Sequence, residues 1–119
     1  MAASLLDHQF EFAEKLARLY THIISSGYKF SLGDSYRPPE TAALYAAQGK
    51  GITNSLHCLR LAQDLNIFLD NKIIISKSGL WSIGTYWEDL SWGEFNFHWG
   101  GNFKNLDVFH FSLGYGGRK

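Results

Sequence analysis

Apolar residues recur at spacings of four and three through Leu6, Phe10, Ala13, Ala17, Tyr20 and Ile24, and Phe12, Leu16, Leu19 and Ile23 widen that stripe. The period predicts an amphipathic helix from about Leu5 to Ser26. Ser4 followed by Asp7 is a capping-box start, Glu11 with Lys15 and Glu14 with Arg18 are favourable i,i+4 pairs, and Gly27 is a natural stop. His8 and His22 are expected on the solvated or peripheral surface of this helix. Tyr28, Phe30 and Leu32 alternate with Lys29 and Ser31, the period of a half-buried strand that Gly33-Asp34 ends. Pro38-Pro39-Glu40 reads as the first turn of an Ala-rich helix running to Gln48, and Gly49 to Ser55 as a loop. From Leu61 to Leu69 a strand is expected, with Leu61, Leu65, Ile67 and Leu69 in phase with Gln63, and Ala62, Asp64, Asn66 and Phe68 on the other phase. Asp70-Asn71 turns the chain so that Ile73-Ile74-Ile75 can pair back as a hairpin. Further on, the pattern predicts a helical turn over Thr85 to Leu90, an aromatic and Gly-rich loop over Ser91 to Asn105, and a final strand over Val108 to Leu113. With no internal repeat and few helices, the class is α+β with a small antiparallel sheet and N-terminal helices.

Composition sharpens this picture. A chain of 119 residues, 45% of them hydrophobic, reads as one domain able to bury roughly two thirds of the surface its unfolded form exposes. Its 11 Lys plus Arg cancel 11 Asp plus Glu, which argues against affinity built on neutralising nucleic-acid phosphates. Cys58 is the one cysteine, so no internal disulfide forms. No apolar run approaches the ~20 residues needed to span a bilayer, and Met1 to His8 lacks the basic start and apolar stretch of a signal peptide. Synthesis in a reducing cytoplasm and no stable membrane insertion are therefore expected. The second half, rich in Gly and aromatic residues, reads as irregular structure anchored by large side chains.

Candidate chemistry is sparse. A catalytic zinc site takes three ligands of the His, Asp or Glu type and leaves a fourth position to water. His57 and Asp64 lie seven residues apart, one just before and one within the strand predicted over Leu61 to Leu69, and His110 lies on the final one. If those strands are neighbours, the three can converge, with Asp107 placed off the metal as a base. Asp64 stands out because a carboxylate among Leu61 to Leu69 needs a partner once desolvated. A metal would serve, and so would an ion pair with Arg60 or Arg37. Two other classes stay open. A cysteine hydrolase would use Cys58 with His57 or His98, although adjacent residues on an extended segment point apart. A non-catalytic wall- or carbohydrate-binding module would use Trp81, Trp87, Trp92 and Trp99, although at least three of these are expected in the core. His98 is a further candidate as a substitute ligand.

The order of elements narrows the choice. Ser35-Tyr36-Arg37-Pro38-Pro39-Glu40, then Ser55-Leu56-His57 through Ala62-Gln63-Asp64, then Trp99-Gly100-Gly101-Asn102-Phe103 and Asp107-Val108-Phe109-His110 resemble the zinc D-alanyl-D-alanine carboxypeptidase family. Within it they look most like short phage endolysins that cut peptidoglycan stem peptides. The resemblance implies a hedgehog/DD-peptidase-like fold forming a single catalytic domain, and zinc held by His57, Asp64 and His110. It also implies Asp107 as general base, Arg37 binding and polarising the substrate carbonyl or oxyanion, Ser55 contacting substrate, and Trp99 at the substrate cleft. Peptidoglycan is the implied partner of a protein expected to be monomeric, made in the host cytoplasm and released to the wall through holin pores. The implied bond is L-Ala to D-Glu, with release of terminal D-Ala as the alternative. Three positions depart from the family: Arg60 where Gly is common, Ala42 where Gln is often found, and Phe111-Ser112 where Phe-Glu commonly follows the last histidine. The last removes one possible partner for a ligand imidazole.

Overall fold

A computed structural model describes residues 2–49 and 55–119. The loop expected over Gly49 to Ser55 lies, for residues 50–54, outside the described residues. Helix α1 spans Leu5–Ser25 and starts in the expected box: the Ser4 hydroxyl accepts the Asp7 N–H at 3.0 Å and the Asp7 carboxylate accepts the Ser4 N–H at 2.9 Å. Its inward face is rotated from the one the apolar period favours. His8, Glu11, Phe12, Lys15, Leu19 and Ile23 are buried, while Leu6, Phe10 and Ile24 are exposed. The polar members are tolerated because each is partnered. Lys15 Nζ meets Glu11 Oε1 at 2.6 Å, and Trp92 Nε1 donates to the same oxygen at 2.6 Å. His8, expected at the surface, instead bonds through Nδ1 to the Ser4 carbonyl at 2.8 Å and packs edge-on against Phe95 and Tyr115. Periodicity cannot see such pairing.

Five strands follow: β1 Lys29–Leu32, β2 Ala62–Leu69, β3 Lys72–Ile73, β4 Phe97–Trp99 and β5 His110–Leu113. They form one antiparallel sheet in the order β1-β2-β5-β4, with β3 also on β2. Asp70 and Asn71 join β2 to β3 with φ of 52° and 62°, the two positive values that a tight hairpin of this hand requires. Helix α2 spans Pro39–Ala47, and α3 spans Lys77–Glu88. The last is a 12-residue helix where only a turn over Thr85 to Leu90 was expected. Gly79, Gly84 and two serines, Ser78 and Ser82, give its sequence little helical propensity. Gly84 is required by packing: a Cβ there would stand 2.1 Å from the Trp99 indole. Short strand β4, in turn, lies inside the segment expected to be loop.

Both sheet phases read from Leu61 to Leu69 are realised. Leu65 and Ile67 of β2 join Phe111 and Leu113 of β5 and Phe97 and Trp99 of β4 in a core closed by Phe12, Leu19 and Ile23 of α1 and Leu80, Ile83 and Trp87 of α3. Burying one such side chain contributes roughly 1.5–3 kcal/mol. The opposite phase carries Asp64 and Asn66 on β2, His110 and Ser112 on β5, and His98 on β4. Thus the helices claim one face of the sheet, and polar chemistry is confined to the other. The class is α+β with a small antiparallel sheet, and no described helix is long and apolar enough to cross a membrane.

Candidate metal centre

Asp64 and His110 are direct partners across the β2–β5 pairing, so backbone register alone sets their side chains side by side. His57 arrives from a short 3-10 turn, Leu56–Leu59, capped by Ser55, whose hydroxyl accepts the His57 N–H at 3.1 Å. Arg60 ends that turn at φ 59° and ψ 35° and redirects the chain into β2. The result is convergence on one carboxylate oxygen: Asp64 Oδ1 lies 3.3 Å from His57 Nε2 and 3.5 Å from His110 Nδ1. Donor atoms of all three residues fall within 4.8 Å of one another. Neither Arg60 nor Arg37 pairs with Asp64. Arg37 bonds Asp34 at 3.0 Å, and Arg60 lies over the Tyr36 ring.

A segment between β1 and α2, residues 33–37, braces the site through its backbone. Gly33 N–H donates to the Asp64 carbonyl at 2.9 Å, and Asp64 N–H donates to the Asp34 carbonyl at 2.8 Å. Two further bonds reach His57: Arg37 N–H donates to its carbonyl at 3.1 Å, and its Nδ1 bonds the Ser35 carbonyl at 2.7 Å. A carbonyl can only accept, so Nδ1 carries the hydrogen and Nε2 turns its lone pair toward Asp64. Sequence reasoning marked Arg37 here but missed the main-chain role of Asp34 and Ser35, because a carbonyl acceptor leaves no trace in residue identity.

The electrostatics follow from crowding. Burial pushes the Asp64 carboxyl up, but the His110 and His57 imidazoles facing it more than offset this and hold it at about 2. For His57, burial acts downward, while the Asp64 carboxylate facing it and the Ser35 carbonyl act upward and prevail. Asp64 Oδ1 and His110 Nε2 are buried without a hydrogen-bond partner among the described residues. Two imidazoles facing an unsatisfied buried carboxylate oxygen are a donor set that could hold a metal ion, and in chemistry and number these residues fit zinc.

Asp107 stands outside this ligand group, at the turn leading into β5. Its N–H donates to the Gly100 carbonyl at 3.0 Å, and its own carbonyl accepts the His110 N–H at 3.1 Å. Gly100 permits the close approach, since a Cβ there would come 2.0 Å from the Asp107 carbonyl oxygen. Asp107 is exposed on one side, yet the protein packed on its other side, together with the Asp64 charge, raises its pKa against the pull of His110 and His57.

Other expected site residues fall elsewhere. Trp99 is 0% exposed, its Nε1 donating to the Val108 carbonyl at 2.9 Å and its ring slotted against Gly84 and Gly101. It is therefore a core residue, not a residue exposed in a cleft. Ser55 is buried as the cap of the 3-10 turn, where it places His57. His98 shares the polar sheet face but lies outside the ligand group; burial, Lys119 and His110 lower its pKa. Cys58 sits within the 3-10 turn and not on an extended segment, and both nitrogens of His57 are engaged away from it, one at Ser35 and one facing Asp64. Two tryptophans, Trp87 and Trp99, are in the core, not the three expected; Trp81 and Trp92 are 51% and 57% exposed.

No family model matches the chain, and no curated protein matches it. Among solved structures it is similar to the L-Ala D-Glu endopeptidase ChiX of Serratia marcescens, at 16% identity and a TM-score of 0.66, over 96% of this chain and 89% of that one. At this identity the likeness is one of fold.

Proposed function

We infer that this chain is a single-domain zinc peptidase that hydrolyses peptidoglycan stem peptides, cutting between L-Ala and D-Glu. One observation carries the reading: His57, Asp64 and His110 converge around an unpartnered buried carboxylate oxygen, in a fold shared with an L-Ala D-Glu endopeptidase. In this reading the three residues hold zinc through His57 Nε2, an Asp64 carboxylate oxygen and His110 Nδ1. Bound there, zinc supplies a Lewis acid that makes water nucleophilic near neutral pH and polarises a carbonyl. The chain's own groups do the rest. The Asp107 carboxylate, with its pKa raised, takes the proton of the attacking water and passes it to the leaving amine nitrogen. The Arg37 guanidinium, tethered by Asp34, binds the scissile carbonyl oxygen as negative charge grows on it, a kind of contact worth roughly 3 kcal/mol when removed. Ser55 keeps His57 in place, with its hydroxyl hydrogen left to donate toward substrate.

The setting that accords with this chemistry is a phage endolysin, synthesised in the host cytoplasm and acting on the wall after holin-dependent release. The test is mass spectrometry of purified peptidoglycan digested with and without a chelator. New L-Ala carboxyl ends and D-Glu amino ends, lost in chelator, are expected. Free D-Ala would mean a carboxypeptidase, binding without new ends a wall-binding module, and undiminished cleavage in chelator would end the zinc reading.

A further inference from the structure

We propose that Arg60 and Tyr36 form a clamp that positions His57 and Asp64 for metal, an inference that rests on the metal-centre reading above. Arg60 holds φ 59° and ψ 35°, a left-handed conformation that disfavours any residue with a Cβ. Its side chain is not kept there by burial, for Arg60 is exposed and Tyr36 is 43% exposed. What the side chain does is reach across to the 33–37 segment, where its guanidinium carbon lies 3.9 Å over the centre of the Tyr36 ring.

Tyr36 is the residue that lies between the two attachments to His57. Ser35, before it, offers the carbonyl to His57 Nδ1, and Arg37, after it, gives its N–H to the His57 carbonyl. Arg60 stands on the other side of the same histidine, three residues on, and its own N–H also points to the His57 carbonyl, at 3.4 Å. The stack therefore closes a loop of contacts: from the end of the 3-10 turn, over to Tyr36, and back through both of its neighbours to His57. Because the 33–37 segment also pairs with Asp64 through Gly33 and Asp34, fixing Tyr36 fixes the backbone behind two of the three proposed ligands. Water competes with main-chain bonds of a segment that lies near the surface, and a planar cation lying on a ring limits both its access and the movement of the segment. Arg60 and Tyr36 are thus positioning residues, acting through backbone that orients ligand groups.

A merely structural stack and a positioning clamp make opposite forecasts. Arg60→Gly removes the stack but also relieves the left-handed backbone, so its melting temperature should not fall below that of the parent protein. Zinc affinity of the full chain, measured on metal-free protein by competition with a chromophoric chelator, should nevertheless weaken about 10-fold, the low end for loss of a partner that orients a ligand. Tyr36→Ala should do the same, Tyr36→Phe should match the parent, and the double variant should be no weaker than either single one. In metal-free protein, hydrogen exchange at the Arg37 and Asp64 amides should quicken several-fold in Arg60→Gly. Parent-like zinc affinity and parent-like amide exchange in Arg60→Gly would overturn the clamp. Should the parent protein bind no zinc, the metal reading fails separately and the exchange rates alone decide: faster exchange upholds the clamp on the segment, and unchanged rates end it. If Tyr36→Ala does not fold, Arg60→Gly carries the test by itself.

Discussion

The two histidines at the candidate centre face the same Asp64 oxygen but are supported in different ways. His57 is braced from behind: its Nδ1 bonds the Ser35 carbonyl, and its backbone is tied to residues 33–37 and to the Ser55 cap. His110 is held by the sheet register and by the turn through Asp107, while its Nε2 is buried without a partner among the described residues. One imidazole is thus oriented by hydrogen bonds and the other by packing, including the Phe103 ring 5.5 Å away. The difference falls where the sequence has Ser112 in place of the glutamate common after the last histidine of the family it resembles. The Ser112 hydroxyl is itself fully buried and, among the described residues, unpartnered. A site can evidently keep its geometry with only one of its imidazoles fastened at both ends.

Removing ligands breaks the comparison most completely. Alanine at His57, Asp64 or His110 is expected to abolish both zinc retention and peptidase activity, read by metal analysis of the purified variants, whereas His98→Ala should keep its zinc. Full zinc occupancy in His110→Ala would show that packing alone never made it a ligand. Next in size, Asp107→Asn should keep metal and fold while activity falls by roughly 100- to 10,000-fold, the contribution of a positioned base. Loss of metal in that variant would move Asp107 from base to ligand.

Acidity provides a subtler probe, on metal-free protein. Asp64 is held at about 2 against 3.8 in an unfolded chain, so its contribution to stability is present above pH 3.8 and lost as pH falls through about 2. His57 is shifted upward from 6.5, so its contribution is complete below 6.5 and lost as pH rises through its folded value. Together they give the metal-free protein an added stability greatest between about pH 4 and 6.5. Thermal melts across this range should show that maximum, and Asp64→Asn should flatten it; an identical profile in the variant would mean the cluster carries no such linkage. Smallest of all, Ser112→Ala removes a hydroxyl that bonds nothing, and unfolding in urea should find it neutral or more stable by up to about 1 kcal/mol. A loss of 2 kcal/mol or more would reveal a partner for that hydroxyl.

Much of the frame was legible before the structure. The 3.6-residue period of α1 located the helix although not the face it buries, and the phase that set Asp64 apart from Leu65 and Ile67 is the phase the sheet uses. What escaped notice depends on partners distant in sequence. Helix α3 is hidden by Gly79 and Gly84, the latter kept small by a tryptophan on β4. Strand β4 has three residues, too few for any period to register. Glu11 and Lys15 look solvated and are buried because they have each other and Trp92. Trp99 looks like a cleft aromatic from its neighbours in sequence, and only its packing against Gly84 of α3 and its bond to the Val108 carbonyl reveal it as core. As for the site, residue types suggested the three residues that converge there, while the backbone that orients them could not be read at all.

The pairing of Asp64 with His110 also has a kinetic consequence. These residues come from the middle and the end of the chain, so the donor set is complete only once β2 and β5 have zipped together, a long-range and therefore late event in folding. An ion captured by that set cannot help nucleate the structure; it can only resist its dissolution. Zinc should then slow unfolding while leaving the refolding rate nearly unchanged, as a stabilising interaction absent from the transition state does, and stopped-flow refolding with and without the ion would separate the two limbs.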